Sequence, residues 1–455
     1  MEQTMKKMKT KNPLGYQPIG RLLMKFAIPS VISMLVNAVY NIVDQIFIGQ
    51  GVGYLGNAAT TVAFPIVTII LAVGTMLGAG GSAYAAIKLG EKKEDEAENT
   101  LGNVFILLVG IGIVLMVVGL VFLDPILTIF GATPKNMGYA RDYASIILLG
   151  TVFNLLGIGL SNMARCDGSP NVAMYSMVAG ALLNCILDPI YIFVFHWGVK
   201  GAAIATITSQ IIATVVLLYY FMRKGNMRLR LTHTRLNPTI CKMAFSLGIS
   251  SCITQLSSTI LQIAMNNSLV YYGNQTTVTG DVALSAMGIV MKISMIIVSI
   301  CIGIGIGAQP ILGFNRGANQ PKRIKRCYRL ASNTATAVTT VGWAMFMLIP
   351  HIILMLFGSA DANFTSFAIK AMRIFDLGVF CAGFQVTSTS YFQATGQPMK
   401  ASILSSLRQL VLLIPLILIL PLHFGLDGIL YAGPIADITS AVIIFFFIHH
   451  EMKKL

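Results

Sequence analysis

The sequence predicts an all-α integral membrane protein, with twelve transmembrane helices in two parallel-repeat six-helix bundles around a central cavity. Three observations lead there. Of 455 residues, 55% are hydrophobic and only 11% charged, whereas soluble domains carry about 25% charged residues. A single water-surrounded core stops growing near ~250–300 residues, so lipid must cover the rest. The apolar residues also fall into twelve runs, each at least as long as the roughly 20 residues that cross a bilayer. Finally, the chain resembles itself at a fixed offset of about 227 residues.

The runs cover residues 20–48, 56–87, 101–123, 141–164, 171–195, 200–222, 242–272, 283–314, 328–357, 366–393, 400–422 and 428–449. The first follows a lysine-rich tail and holds Asn37, Asn41 and Asp44. It lacks the small-residue cleavage site of a signal peptide, so it is expected to stay in the mature protein. Pro29 sits one or two turns inside it and costs the helix a hydrogen bond, which reads equally as a hinge or a static kink. Glycine strings in the second run (Gly74, Gly78, Gly80, Gly81) and the eighth (Gly303, Gly305, Gly307) suit close helix packing. The loop after the second run is acidic (Glu91, Glu94, Asp95, Glu96, Glu98) and its counterpart after the eighth is basic (Lys322, Arg323, Lys325, Arg326). They read as solvated loop ends rather than as a gate, because exposed pairs contribute little.

Four loci carry the repeat. Phe130-Gly131 returns as Phe357-Gly358, and Gly198 with Gly201 as Gly425 with Gly428. Gly80 and Gly90 return as Gly307 and Gly317, and Asp167-Gly168-Ser169-Pro170 as Thr395-Gly396-Gln397-Pro398. The chain therefore divides into a first lobe, residues 1–222, a basic linker, 223–241, and a second lobe, 242–455. Six helices per lobe make the repeat parallel, and rocking one lobe against the other would expose a cavity between them to each face in turn.

Net charge is +15. Nucleic-acid binding is not expected, because the basic residues lie between apolar runs. Of the 32 Lys and Arg, 26 fall on one side of the predicted spans and five on the other, with Lys292 inside a span. The positive-inside rule then puts both termini in the cytoplasm of a multi-pass plasma-membrane protein. The seven cysteines are scattered without metal spacing, and the six histidines lie near segment ends. No cofactor is expected.

An ionised group at the bilayer centre costs about 2.5–3.5 kcal/mol on insertion scales, which singles out Asp44, Asp188, Asp376 and Asp437. Asp44 and Asp188 reach similar depth in the first lobe, and no Lys or Arg there shares it. Protonation, a metal cation or hydrogen bonds must satisfy them. Asn37, Asn41 and Asp44 stand at i, i+4, i+7 with Tyr40 beside them; Asn184 and Asp188 stand at i, i+4, as do Thr206 and Gln210. Two carboxylates with amide and hydroxyl oxygens suit Na+, and equally suit a shared proton. In the second lobe Lys292, Asp376 and Asp437 read as buried charges of equal depth, with Lys292 paired to one of the two.

The chain resembles the multidrug and toxin extrusion (MATE) family, in its DinF-like branch. The resemblance rests on Ala27-Ile28-Pro29, Tyr40-Asn41-Ile42-Val43-Asp44, Asn184-Cys185-Ile186-Leu187-Asp188-Pro189, Gly201-Ala202-Ala203-Ile204-Ala205-Thr206, and Gly307-Ala308-Gln309-Pro310 through Asn315-Arg316-Gly317-Ala318. It covers nearly the whole chain. It implies export of bulky, often cationic, organic compounds in exchange for H+ or Na+. It also implies that Asp44, Asn184, Asp188 and Thr206 form the cation or proton site, Na+ ligation by Asp44 and Asp188 included. Asn37, Tyr40, Asn41, Asn154 and Gln210 would then face a substrate cavity. The expected partners are the drug and the membrane lipids, and the expected state is a monomer. The alternative within transport is a flippase of a lipid-linked precursor from the wider superfamily, which would show a more cationic cavity. An enzyme is not expected, since the chain has no HExxH, no GxSxG and no histidine cluster.

Overall fold

A computed structural model describes residues 12–455 apart from residues 53, 133, 231–235 and 356–361. The described chain is helical throughout, in twelve consecutive segments. They are α1 (Ile19–Val52), α2 (Tyr54–Gly90), α3 (Glu94–Val121, with a short extension Leu123–Ile129), α4 (Met137–Leu149 and Thr151–Cys166), α5 (Pro170–Pro189, ending in the wider turns of Ile190–Val194) and α6 (Gly198–Tyr219, ending likewise in Tyr220–Lys224). The second set is α7 (Pro238–Gly273), α8 (Gly280–Gly317), α9 (Pro321–Leu348 and Pro350–Met355), α10 (Ala362–Phe375, Asp376–Cys381 and Ala382–Ala394), α11 (Pro398 to Phe424 in four pieces) and α12 (Leu426–Lys454). Among the described residues nine of these are long and apolar enough to cross a bilayer, and α4, bent by 52°, makes a tenth. The other two have visible reasons for failing that test: α9 carries Ser332, Asn333, Thr334, Thr336, Thr339 and Thr340 along its uncharged part and α10 is interrupted at its middle.

Helix ends follow local chemistry. Pro170, Pro238, Pro321 and Pro398 each open a helix, where a missing N–H costs nothing and φ is already helical. Asn237 caps α7 by accepting from the Thr239 amide at 2.9 Å. α3 begins seven residues earlier than its apolar run, because Glu94, Asp95 and Glu96 occupy its first turn and favour a helix N-terminus electrostatically.

The repeat is written into the backbone. Left-handed residues recur in register: Lys92 (φ 63°) with Asn319 (φ 51°), Gly168 (86°) with Gly396 (78°), and Gly198 (56°) with Gly425 (57°). The second member of the Phe130-Gly131 locus lies outside the described residues.

Apolar side chains gather in three large clusters, with a fourth, small one of Ala83, Tyr84, Ile240 and Leu247 between α2 and α7. One, from Ile48 to Met227, belongs to the first half, and another, from Leu261 to Ala436, to the second. The third joins Leu14, Ile19, Leu22, Leu23, Phe26 and Ala27 at the start of the chain to α8, α9, α10, α11 and α12. The halves also meet backbone to backbone at the end bearing both termini. A Cβ on Gly80 would lie 1.9 Å from the Ala244 carbonyl oxygen, one on Gly248 1.8 Å from that of Met76, and one on Gly307 2.6 Å from Ala27 Cα. Gly90 and Gly317 make reciprocal approaches to the carbonyls of Phe314 and Ile87, 2.0 Å in each case. The glycine strings thus serve close packing, and part of that packing is between the halves. The acidic turn binds its own half, Lys88 reaching Glu91 at 3.1 Å and Glu96 at 3.0 Å. Arg323 instead donates to the carbonyls of Leu14 and Gln17.

Candidate functional site

The first-half polar cluster is built on α1, α4, α5 and α6. Asn184 and Asp188, one turn apart on α5, are 1% and 0% exposed. Asn184 Nδ2 donates to Asp188 Oδ1 at 3.3 Å and to Thr206 Oγ1 of α6 at 3.4 Å. Asp44, buried on α1, brings its carboxyl up against that of Asp188. One turn below Asp44 the Tyr40 hydroxyl lies against Thr206. Pro189 follows Asp188 directly; lacking an N–H, it cannot continue the ordinary ladder, and the helix widens over Ile190–Val194.

Three oxygens in this cluster, Asp44 Oδ1, Asn184 Oδ1 and Asp188 Oδ2, are buried without a hydrogen-bond partner. Among the described residues no Lys or Arg forms an ion pair with either carboxylate. Two abutting carboxylates surrounded by acceptors need something positive, because a buried charge must be paired and hydrogen-bonded to be tolerated. A proton shared between them, or a hard cation held by Asp44, Asn184, Asp188 and Thr206 oxygens, meets that need.

The cluster differs from its sequence-level outline in membership. Asn37 and Asn41 are exposed and bond to each other, Asn41 Nδ2 donating to the Asn37 carbonyl at 2.7 Å. They share a helix stripe with Asp44 without joining its network. Asn154 and Gln210 are half-buried. Tyr143 of α4, which sequence spacing did not single out, is buried within electrostatic range of Asp44, Tyr40 and Asp188. Pro29 is buried inside an unbroken α1, and its carbonyl accepts from Ser33 Oγ at 2.8 Å.

The second-half charges correct the expectation. Lys292 is exposed and makes no ion pair among the described residues. The partner of Asp437 is Arg408, whose Nε donates to Asp437 Oδ1. Asp376 instead accepts from Ser294 Oγ at 2.7 Å. Counting depth along a regular helix leaves Arg408 near the end of its span, on the basic side. The wide turns of Leu407–Leu413 carry it inside α11, and Gly378 lets Asp437 come close, since a Cβ there would lie 2.6 Å from Asp437 Cβ. Arg408→Gln is expected to destabilise the protein by about 3–5 kcal/mol, because it strands a buried carboxylate. Arg408→Gln with Asp437→Asn should regain most of that loss. Thermal unfolding in detergent measures both.

Twelve membrane-embedded helices in a two-half repeat, holding a buried acidic pair with no basic partner among the described residues, define a multi-pass membrane transporter. The family model described as MatE matches residues 29–190 and 250–419, and the chain belongs to that family, the multidrug and toxin extrusion transporters. Similar proteins include one named multidrug export protein MepA of Staphylococcus haemolyticus, 27% identical over 96% of this chain and 95% of the relative. The MepA of Staphylococcus aureus is 27% identical over 93% and 92%. A crystal structure of a MATE protein in complex with MaL6 superposes with a TM-score of 0.91 at 24% identity, covering 97% of this chain and 98% of that one. The last likeness bears on the fold.

Proposed function

We propose that the protein exports bulky, often cationic, organic compounds across the plasma membrane by antiport against H+ or Na+, with Asp44 and Asp188 as the coupling pair. The observation that carries this reading is the three partnerless buried oxygens of Asp44, Asn184 and Asp188, with no Lys or Arg among the described residues paired to either carboxylate. Binding of a coupling ion there draws α1 and α5 together, and its release leaves two negative charges that repel. α1 also packs against α8 of the other half, so the ion's presence bears on how the halves sit together. Both termini lie in the cytoplasm, the protein acts as a monomer, and the substrate enters between the halves. The names of the relatives support the substrate class. The charges gathered around the coupling pair are acidic, which speaks against a lipid-linked anionic cargo there.

The test is export of a fluorescent organic cation from proteoliposomes under separately imposed H+ and Na+ gradients. Wild type should respond to at least one gradient, and Asp44→Asn should lose that response while still binding the dye in detergent. Counter-gradient export that survives Asp44→Asn overturns the coupling role.

A further inference from the structure

We propose that a single small anion, chloride in the cell, binds beside Arg165 between the two halves and holds them together at the end bearing the termini. Arg165 closes the last turn of α4 and is 3% exposed. Among the described residues its one hydrogen bond is from Nη1 to Asn162 Oδ1 at 3.4 Å, and Nε and Nη2 have none. It makes no ion pair among the described residues. The carboxylate nearest in sequence is committed elsewhere. Asp167 accepts from the Tyr220 hydroxyl at 2.6 Å and from the amides of Asn226 and Met227 at 2.9 and 2.7 Å. A guanidinium buried in this way, with nothing negative facing it, is as demanding as an unpaired buried carboxylate.

The guanidinium faces a small cavity lined by Ser82 of α2, Asn162 and Arg165 of α4, and Ile306, Gln309 and Pro310 of α8. The cavity gives the centre of a water-sized sphere about 10 Å³ of room, roughly what one water needs. It is too small for an organic substrate, and a halide, a few tenths of an ångström larger in radius than water, enters as the flexible Asn162, Arg165 and Gln309 side chains give way slightly. Its lining offers donors beyond the arginine. Asn162 Nδ2 uses one hydrogen on the Ile158 carbonyl and Gln309 Nε2 one on Gln393 Oε1, and each amide nitrogen carries two. Water would satisfy the hydrogen bonds and leave the charge uncancelled; a halide does both. Because α2 and α4 belong to one half and α8 to the other, the ion bridges them, and separating the halves at this end dismantles its site.

The site is independent of the coupling pair, and the experiment needs no transport. Purified full-length protein is unfolded thermally while chloride replaces gluconate at constant ionic strength, and crystals grown in bromide are measured at the bromine absorption edge. The midpoint is expected to rise and saturate with chloride, and an anomalous peak is expected beside Arg165. Arg165→Gln should raise the half-saturating chloride at least about tenfold, as loss of the charge-assisted bonds requires. If that variant fails to fold, Arg165→Lys, which keeps the charge and loses the fork, should weaken the response without removing it, and the wild-type results decide alone. Equal wild-type midpoints in chloride and gluconate, no bromide peak at Arg165, or an undiminished halide response in Arg165→Gln would each overturn the proposal.

Discussion

Asp188→Asn is expected to reduce gradient-driven accumulation to that of passive leak while the protein stays folded. The substitution is nearly isosteric. It keeps an oxygen to accept from Asn184 and replaces the partnerless Oδ2 with an NH2 aimed at Asp44, so the pair gains an internal hydrogen bond that no coupling ion supplied. The variant imitates the ion-loaded state permanently. A tenfold concentration ratio is worth about 1.4 kcal/mol. With a hundredfold imposed ion gradient and one ion per electroneutral cycle, wild type can therefore concentrate substrate about a hundredfold, and the variant about onefold. Steady-state dye ratios across proteoliposomes read this directly. The unfolding temperature should equal or exceed that of wild type, because one of two abutting carboxylates is gone. A variant that still accumulates dye assigns the coupling elsewhere.

Gly248→Leu has the second large expected effect, on which arrangement of the halves is populated. Even a Cβ at this position would overlap the Met76 carbonyl oxygen of α2, and Gly80 meets the Ala244 carbonyl of α7 just as closely. Both partners are helix backbone, so neither can rotate aside. Forcing extra atoms into a packed contact costs about 1–3 kcal/mol. That cost falls on this arrangement alone, since each half keeps a core of its own. The population closed at the termini should fall roughly fivefold to a hundredfold. In a cysteine-depleted background, a single cysteine replacing buried Ser82 should react with a thiol reagent correspondingly faster, and dye turnover should drop. Gly110→Ala supplies the control, because nothing lies within 4 Å of a Cβ there. An unchanged labelling rate in Gly248→Leu would show that the contact does not hold the halves.

The spans and the acidic pair were legible in the sequence because both rest on short-range regularities. Lipid demands about twenty apolar residues at a stretch, and a one-turn spacing puts Asn184 beside Asp188 whatever the rest of the chain does. The offset of 227 was legible for a similar reason, since left-handed turns favour Gly and Asn, and three such turns recur with matching φ. What escaped depended on helices that are not regular. Arg408 lies within a stretch of wide turns, which changes both its depth and the face it presents, so a depth count along regular helices points to Lys292 as the partner of Asp376 or Asp437 instead. Asn37 and Asn41 were grouped with Asp44 by angle, but angle says nothing of which neighbours cover each level of a helix. Tyr143 and Arg165 sit on a helix bent by 52°, and their surroundings come from other segments far away in sequence.

The course of α1 has a consequence for how a signal crosses this molecule. Its opening turns, through Ala27, are moored in the core of the second half, whereas Ile48, near its other end, is anchored in the first. Pro29, where one rung of the ladder is missing, stands just past the first mooring, and Asp44 just short of the second. Any parting of the halves must therefore stretch, twist or bend the segment from Pro29 to Asp44, and a change of charge at Asp44 pulls on the same tether from its far end.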